Sequence, residues 1–205
     1  MTLLYFSAQN IDRLVSFYRA SLKGGKIFAI DFYTANILGC LKDYGEIPYP
    51  YENYTNIRVF FPYWLCRRIT QRGEQELMYR YKGYKITREE ISDRSGEIMM
   101  MVRPSMLKDL ELIKNIEGAA FIYSLWEGYL QDDSMKKMMK FIKRKKMKFY
   151  QVHTSGHAEI DTLKKVVKKL KPGEIIPIHT FHPNKYGGLF SRKIVQVSDG
   201  EVFEV

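Results

Sequence analysis

All four histidines of this chain fall within one segment of 30 residues near its C-terminal end. Two of them lie on short loops that each follow an apolar run: His157 in the stretch Val152-His153-Thr154-Ser155-Gly156-His157-Ala158, and His179 in Ile175-Ile176-Pro177-Ile178-His179. Imidazole can ligate a metal ion and can move a proton near neutral pH. The segment is therefore the first candidate for a metal or acid–base site.

Two purely local interpretations of this segment compete with a catalytic one. Four imidazoles, from His153-x-x-x-His157 and His179-x-x-His182, could satisfy the tetrahedral geometry of zinc, although no carboxylate or thiolate joins them. Alternatively, Ser155 caps a helix that starts near Ala158 and Gly156 serves the turn before it.

Cys40 and Cys66 are widely spaced and lie outside any C-x-x-C pattern, which indicates free thiols.

Apolar runs alternate with segments of helical periodicity, which predicts an α/β fold. The first run and the second flank a helix that begins near Ile11, so the opening predicts a βαβ unit with a right-handed crossover and a parallel strand pair. Strands are predicted at 3–6, 26–30, 57–61, 99–102, 119–123, 149–152 and 175–178, with a terminal hairpin of 194–197 and 201–205; helices are predicted over 11–22, 31–41, parts of 64–82, from 105, over 134–146 and over 158–170.

The chain is strongly basic, with 33 Lys and Arg against 23 Asp and Glu and a net charge of +10. This balance favours polyanionic partners through long-range attraction and counterion release. Eight of the cations fall within the 13 residues 136–148, on and directly after the predicted helix 134–146: Lys136, Lys137, Lys140, Lys143, Arg144, Lys145, Lys146 and Lys148. This density predicts a contact with an RNA backbone, and the alternative is a solvated helix face.

The motifs V-H-T-S-G-H-A and I-I-P-I-H-T resemble the last two motifs of metallo-β-lactamase-fold hydrolases of the β-CASP group, which includes ribonuclease J. Two other segments resemble the inserted β-CASP domain of that group: residues 3–13 and residues 123–129. The resemblance implies a Rossmann-like β-CASP domain over 1–146, present in part, followed over 147–205 by the C-terminal strands and helix of the metallo-β-lactamase fold.

The resemblance also implies roles for individual residues. His157 would face the scissile phosphate as a catalytic residue, and His179 would be a ligand of a dinuclear zinc site. Substrate contacts are expected from the loop residues Ser155 and Gly156 and, in the first βα segment, from Ser7, Asn10 and Arg13. Trp126 and Tyr129 could stack on a base or pack in the protein interior. The implied reaction is zinc-assisted hydrolysis of RNA or DNA phosphodiesters, as in a nuclease of RNA processing.

One departure from the family bears on activity. The family supplies most of its zinc ligands from an H-x-H-x-D-H motif, and this sequence contains none. The chain therefore resembles the C-terminal part of such an enzyme, truncated and inactive alone, which would pair with a separately encoded N-terminal half or with a second copy. The alternative is a non-catalytic nucleic-acid-binding or assembly module.

No apolar run long enough to span a membrane and no signal peptide occur, so a cytoplasmic location without a membrane partner is expected.

Overall fold

The computed structural model describes residues 1–153 and 158–203. The chain divides into two compact units, residues 1–154 and residues 155–205. The first unit carries the large sheet and the second a small two-stranded sheet. The assignment of residues 1–146 to a β-CASP-like domain and of residues 147–205 to a metallo-β-lactamase fold stays a prediction. The strand that follows it, Lys148–Gln151, pairs with the sheet of the first unit.

A seven-stranded sheet in which every pairing is parallel forms the centre of the first unit. Its strands, in chain order, are β1 (Thr2–Tyr5), β2 (Ile27–Asp31), β3 (Ile57–Phe60), β4 (Lys85–Ile86), β5 (Ile98–Met101), β6 (Ala120–Tyr123) and β7 (Lys148–Gln151). Their order across the sheet is β4-β3-β2-β5-β1-β6-β7. The α/β, Rossmann-like fold predicted from the sequence is thereby confirmed.

Seven helices connect these strands: α1 (Ile11–Lys23), α2 (Phe32–Leu41), α3 (Tyr63–Gln71), α4 (Glu76–Tyr79), α5 (Arg88–Asp93), α6 (Leu107–Glu111) and α7 (Asp133–Arg144). They cover both faces of the sheet. One buried cluster contains Leu14 of α1 and Leu38 of α2, and the other contains Leu110 of α6 and Met138 of α7. A parallel sheet needs this double cover, because its strands are apolar on both sides.

Short side-chain caps set the starts of several helices. The Asn10 side chain accepts from the backbone N–H of Arg13 at the start of α1, and Asp31 accepts from that of Thr34 at the start of α2. Thr87 and Glu90 form a reciprocal capping box at α5. Each cap satisfies backbone donors that the first helical turn leaves without a partner.

A buried ion pair lies at the carboxyl ends of β2 and β5. Arg103 Nε donates to Asp31 Oδ2 at 2.6 Å, and only 2% of the Asp31 side chain is exposed. Arg103 also donates to Thr34 Oγ1 at 3.0 Å and lies over the ring of Tyr33. Strand β2, helix α2 and the segment after β5 are therefore joined by one polar network.

One predicted pairing is wrong. The sequence predicted that the first two strands form a parallel pair, whereas β5 lies between β1 and β2 and pairs with both. The two strands do run in the same direction. Strand β5 is entirely apolar, Ile98-Met99-Met100-Met101, which suits its place in the middle of the seven-stranded sheet.

The second unit contains α8 (Ile160–Leu170), α9 (Tyr186–Leu189) and a small parallel pair of β8 (Glu174–Ile175) and β9 (Lys193–Ile194). The predicted terminal hairpin is wrong within the residues described up to 203. Ile194 pairs with Ile175, and residues 198–201 form a turn in which Ser198 and Glu201 bond each other. None of the helices described in either unit is long and apolar enough to cross a membrane.

Candidate nucleic-acid interface

Three neighbouring strands end at the same edge of the large sheet. Tyr5 of β1 lies opposite Tyr123 of β6, and Tyr123 lies opposite Gln151 of β7. The segments that leave these ends carry Ser7–Arg13, Ser124–Tyr129 and His153. Ligands of open α/β sheets bind beyond the carboxyl ends of the strands, so this edge is where a site is expected.

Arg13 joins the three segments. Its Nη1 donates to the backbone oxygen of Ser124 at 2.7 Å and lies 3.1 Å from Nδ1 of His153. Because a guanidinium can only donate, Nδ1 of His153 is the acceptor in this contact, and the ring proton then lies on Nε2. We call Arg13, Ser124 and His153 the strand-end cluster. It fixes an arginine and a histidine side by side at the sheet edge.

Ser7 and Asn10, both predicted to contact substrate, are exposed and make local bonds. Ser7 Oγ accepts from the backbone N–H of Gln9 at 3.3 Å, and Asn10 caps α1 by accepting from the backbone of Arg13 at 3.0 Å. Asn10 thereby helps to position the arginine that enters the cluster. Direct contact of Ser7 or Asn10 with substrate stays a prediction.

The predicted catalytic residue His157 and the predicted substrate residues Ser155 and Gly156 lie outside the described residues. Their roles stay predictions. His153 precedes them closely in the chain and belongs to the strand-end cluster. The family motif does not require His153, so the resemblance assigned it no role, and its contact with Arg13 was not predicted. Its position after the predicted strand 149–152 was the sequence signal for it.

An exposed aromatic pair follows β6. The rings of Trp126 and Tyr129 meet edge to face at 5.5 Å, and about half of each side chain is exposed. The Tyr123 hydroxyl donates to the backbone oxygen of Trp126 at 2.8 Å, and burial raises the pKa of Tyr123 to about 12, so this donor keeps its proton. The Trp126 ring lies over Gly128, where a Cβ would stand 2.2 Å from it. The loop therefore presents two rings on the surface instead of burying them.

The basic helix α7 turns its apolar residues inward and its cations outward. Met135, Met138, Phe141 and Ile142 are buried. Two of its basic residues form ion pairs, Lys136 with Asp133 and Arg144 with Glu111, and Lys145, which follows the helix, pairs with Glu117. Lys137, Lys140 and Lys143 have no ion pair within residues 1–153 and 158–203. Lys146 and Lys148 of the cationic run likewise form no ion pair in those ranges, so five of its eight cations are unpaired there. The predicted contact with an RNA backbone stays a prediction.

His179, the predicted metal ligand, is exposed in the second unit. Its φ is +54°, a backbone conformation that residues other than glycine adopt rarely. It lines a cleft of about 600 Å³ together with Asp199. His182 is also exposed, and its backbone N–H donates to Thr180 Oγ1 at 3.2 Å.

These donors alone do not fit a zinc site. A protein zinc ion takes at least three protein ligands, whereas the cleft offers His179 and Asp199. Among the described residues no group of three His, Cys, Asp or Glu side chains could hold a metal ion. The all-histidine site considered from the sequence requires His157, which lies outside those residues. A zinc ion held through His179 would need donors beyond those that the described residues place in this cleft.

Residues 142–183 match a family model described as the Zn-dependent metallo-hydrolase RNA specificity domain. The whole fold is similar to the crystal structure of a protein of unknown function from Enterococcus faecalis V583, with a TM-score of 0.67 and 15% identity. That similarity covers 98% of this chain and 40% of the other, so the chain spans less than half the length of that structure. The comparison with curated proteins gave no match. The match is confined to residues 142–183 and supports a similarity of this segment to the C-terminal part of metallo-β-lactamase-family proteins.

Proposed function

We propose that this chain is the RNA-engaging C-terminal portion of a β-CASP metallo-hydrolase that cleaves RNA phosphodiesters, and that the chain binds RNA without cleaving it when alone. The observation that carries the proposal is the strand-end cluster, because it places a guanidinium beside an imidazole at the sheet edge where α/β folds bind ligands. The match to an RNA specificity domain spans α8 and reaches back to the end of α7.

The chemistry of this edge fits single-stranded RNA. Arg13 can donate to phosphate oxygens, and the exposed rings of Trp126 and Tyr129 offer surfaces on which bases stack. Sequence-tolerant RNA binding combines such cations and rings. The net charge of +10 adds long-range attraction. RNA is favoured over DNA by the description of the matched family.

The roles proposed for His179 and His157 depend on how many metal ligands this chain supplies. His179 contributes one metal ligand, and His157 faces the scissile phosphate, as the resemblance implies. The described residues of the His179 cleft offer two such donors, fewer than a zinc ion takes. In this proposal a separately encoded N-terminal half supplies the other ligands. A non-catalytic RNA-binding or assembly module is the second candidate, and the same shortage of donors favours it.

We expect the isolated chain, supplied with zinc, to hydrolyse RNA no faster than zinc alone. The described residues do not assemble three ligands, so no water would be activated between two ions. The measurement follows cleavage of a labelled single-stranded RNA on a denaturing gel, with His179→Ala as the matched variant. Clear turnover by the wild-type chain that His179→Ala abolishes would contradict this expectation.

The lysines near the start of α7 are expected to contact the RNA backbone. A helix that follows β6 begins at the carboxyl edge of the sheet, so Lys137 and Lys140 lie nearer the strand-end cluster than the far end of the helix does. Replacing both with Gln should weaken single-stranded RNA binding by about fivefold and reduce the salt slope, log Kobs against log salt, by about 1.4, or about 0.7 for each lost phosphate contact. Fluorescence anisotropy over a salt series measures both quantities.

The control removes the same charge from the opposite edge of the sheet. Lys143 lies near the C-terminal end of α7, and Lys148 begins strand β7. The Lys143→Gln/Lys148→Gln variant should change the affinity by less than about twofold, since only screened long-range attraction is lost. Equal losses in both double variants would show a diffuse charge effect and would argue against an interface at the carboxyl edge.

A further inference from the structure

A cleft lies beyond the carboxyl ends of β3 and β4, near the edge of the seven-stranded sheet that is opposite to β7. Its volume is about 530 Å³, within the range of small-molecule sites. Phe60 and Phe61, at the end of β3, form one wall, and Ile86 and Thr87, at the end of β4, form another. None of its lining residues belongs to the strand-end cluster.

The topology explains why a cleft forms here. The strands β3 and β4 are parallel neighbours, but the helices that follow them cover opposite faces of the sheet. Leu65 of α3 packs against the core cluster that contains Leu14, whereas Ile91 of α5 lies in the cluster that contains Leu110. Neighbouring strands whose connections diverge in this way leave a crevice at their carboxyl ends, which is where open α/β sheets bind ligands.

The lining is cationic on one side. Lys82, Lys85 and Arg88 contribute three positive charges, and none of them forms an ion pair with any residue in the described ranges. The acidic lining residues are Glu89 and Asp109, so one positive charge remains in excess. Lys85 Nζ lies 5.8 Å from the centre of the Phe61 ring, within the range at which a ring face attracts an ammonium group, and both residues line the cleft.

Aromatic surface stands beside these cations. Tyr63 is 68% exposed and Tyr79 is 62% exposed, although both line a concave site. Flat rings of this kind accept a planar ligand by stacking. The combination of stacking surface and clustered cations matches a molecule with an aromatic ring at one end and an anion at the other.

A buried carboxyl completes the wall. Asp109 is 5% exposed, and its Oδ1 accepts from the backbone N–H of Tyr63 at 3.2 Å. Burial raises the pKa of Asp109 above its ordinary value. A carboxyl held in this position can exchange hydrogen bonds with the polar edge of a heterocycle.

We propose that this cleft binds a nucleoside monophosphate unit, with its base against Tyr63 and Tyr79 and its phosphate on Lys82, Lys85 and Arg88. The site is separate from the strand-end cluster and does not depend on RNA cleavage. The same chemistry is offered by a free mononucleotide and by one nucleotide of an RNA strand.

Isothermal titration of the full chain with AMP and with UMP tests the proposal, with inorganic phosphate as a separate titrant. We expect binding of at least one nucleotide, weakened at least tenfold by Lys82→Gln/Lys85→Gln and unchanged by Lys23→Gln/Lys114→Gln, which removes two exposed lysines from elsewhere on the first unit. No heat from either nucleotide at millimolar concentration, or equal affinity for phosphate alone, would overturn it.

Cysteine alkylation gives an independent readout of the same cleft. Cys66 lines it, whereas Cys40 is exposed outside it. Burial raises the pKa of the Cys66 thiol to about 11, so the reaction is run at mildly alkaline pH with long incubation, since a strongly alkaline buffer would neutralise lysine ammonium groups. A bound nucleotide should slow alkylation of Cys66 and leave that of Cys40 unchanged; unchanged rates at both thiols would count against the proposal.

The two sources of the nucleotide are distinguished by competition. If a single-stranded RNA protects Cys66 from alkylation and AMP displaces this RNA, the cleft holds one nucleotide of an RNA strand. If AMP binds and RNA does not compete, the ligand is a free nucleotide, and the proposal holds in either case. Arg13→Ala should leave the AMP titration unchanged, so failure of the strand-end interface and failure of this cleft give different results.

Discussion

Asp31→Ala is expected to lower the free energy of unfolding of the first unit by about 3 kcal/mol. The substitution removes the carboxylate that pairs with Arg103 at 2.6 Å and leaves the guanidinium without its partner beside an apolar core. It also removes the cap of α2, because Asp31 accepts from the backbone N–H of Thr34 at 2.8 Å. The Arg103 side chain is 25% exposed, so water recovers part of the loss.

Urea unfolding followed by circular dichroism measures this effect. The control is Asp133→Ala, which breaks an ion pair between Lys136 and a carboxylate that is 91% exposed. It should change the unfolding free energy by less than about 0.5 kcal/mol, as exposed pairs do. Asp31→Asn should lie between the two, because Asn keeps the cap and loses the charge. A change below about 1 kcal/mol for Asp31→Ala would contradict a structural role for this pair.

Arg13→Ala is expected to weaken the binding of single-stranded RNA about tenfold, which corresponds to about 1.4 kcal/mol. Arg13 is the residue that connects the ends of β1, β6 and β7. Without it, the interface loses a donor to phosphate and His153 loses a partner that orients its ring. The loss should appear for RNA of any sequence, since contacts to phosphate carry no base identity.

Two matched variants separate geometry from charge. Arg19→Ala removes the same charge from an exposed position on the same helix and should change the affinity by less than about twofold. Arg13→Lys keeps the charge but loses the planar fork, so it should recover only part of the binding. A melting temperature close to that of the wild type is required of each variant. Equal losses for Arg13→Ala and Arg19→Ala would show that the strand-end cluster is not the binding element.

The parts of the fold that depend on neighbouring residues were predictable. A helix was predicted over 31–41, and α2 spans Phe32–Leu41 with Asp31 as its N-cap. The Thr87-x-x-Glu90 spacing is a capping-box signature and could have predicted α5 in the same way. Local hydrogen bonds of this kind are written in a few consecutive residues, so a single sequence reveals them.

Strand order was less accessible, because it depends on contacts between distant segments. The insertion of β5 between β1 and β2 joins residues near position 3 to residues near position 100, and no local pattern encodes that pairing. The failed terminal hairpin has a similar cause. The apolar run at Ile194 was interpreted as a partner for the C-terminal residues, whereas it pairs with Ile175.

Only part of the candidate site was predictable from the sequence, because its contacts also join distant segments. The sequence identified Arg13 through its resemblance to a substrate-facing helix, but its contacts with Ser124 and His153 span 111 and 140 residues. Only the fold brings these residues together. The network of Asp31 and Arg103 is also long-range, and Arg103 follows an apolar strand without any recognisable motif.

The most direct test of an RNA interface at the ends of β1, β6 and β7 is photo-crosslinking of the full chain to thiouridine-substituted single-stranded RNA, with the crosslinked peptides identified by mass spectrometry. The expected result is crosslinks to the exposed rings Trp126 and Tyr129 and to the segments around Arg13 and His153, reduced by Arg13→Ala and by high salt. Crosslinks confined to other surfaces, with none in residues 7–13, 124–130 or 152–153, would contradict the account.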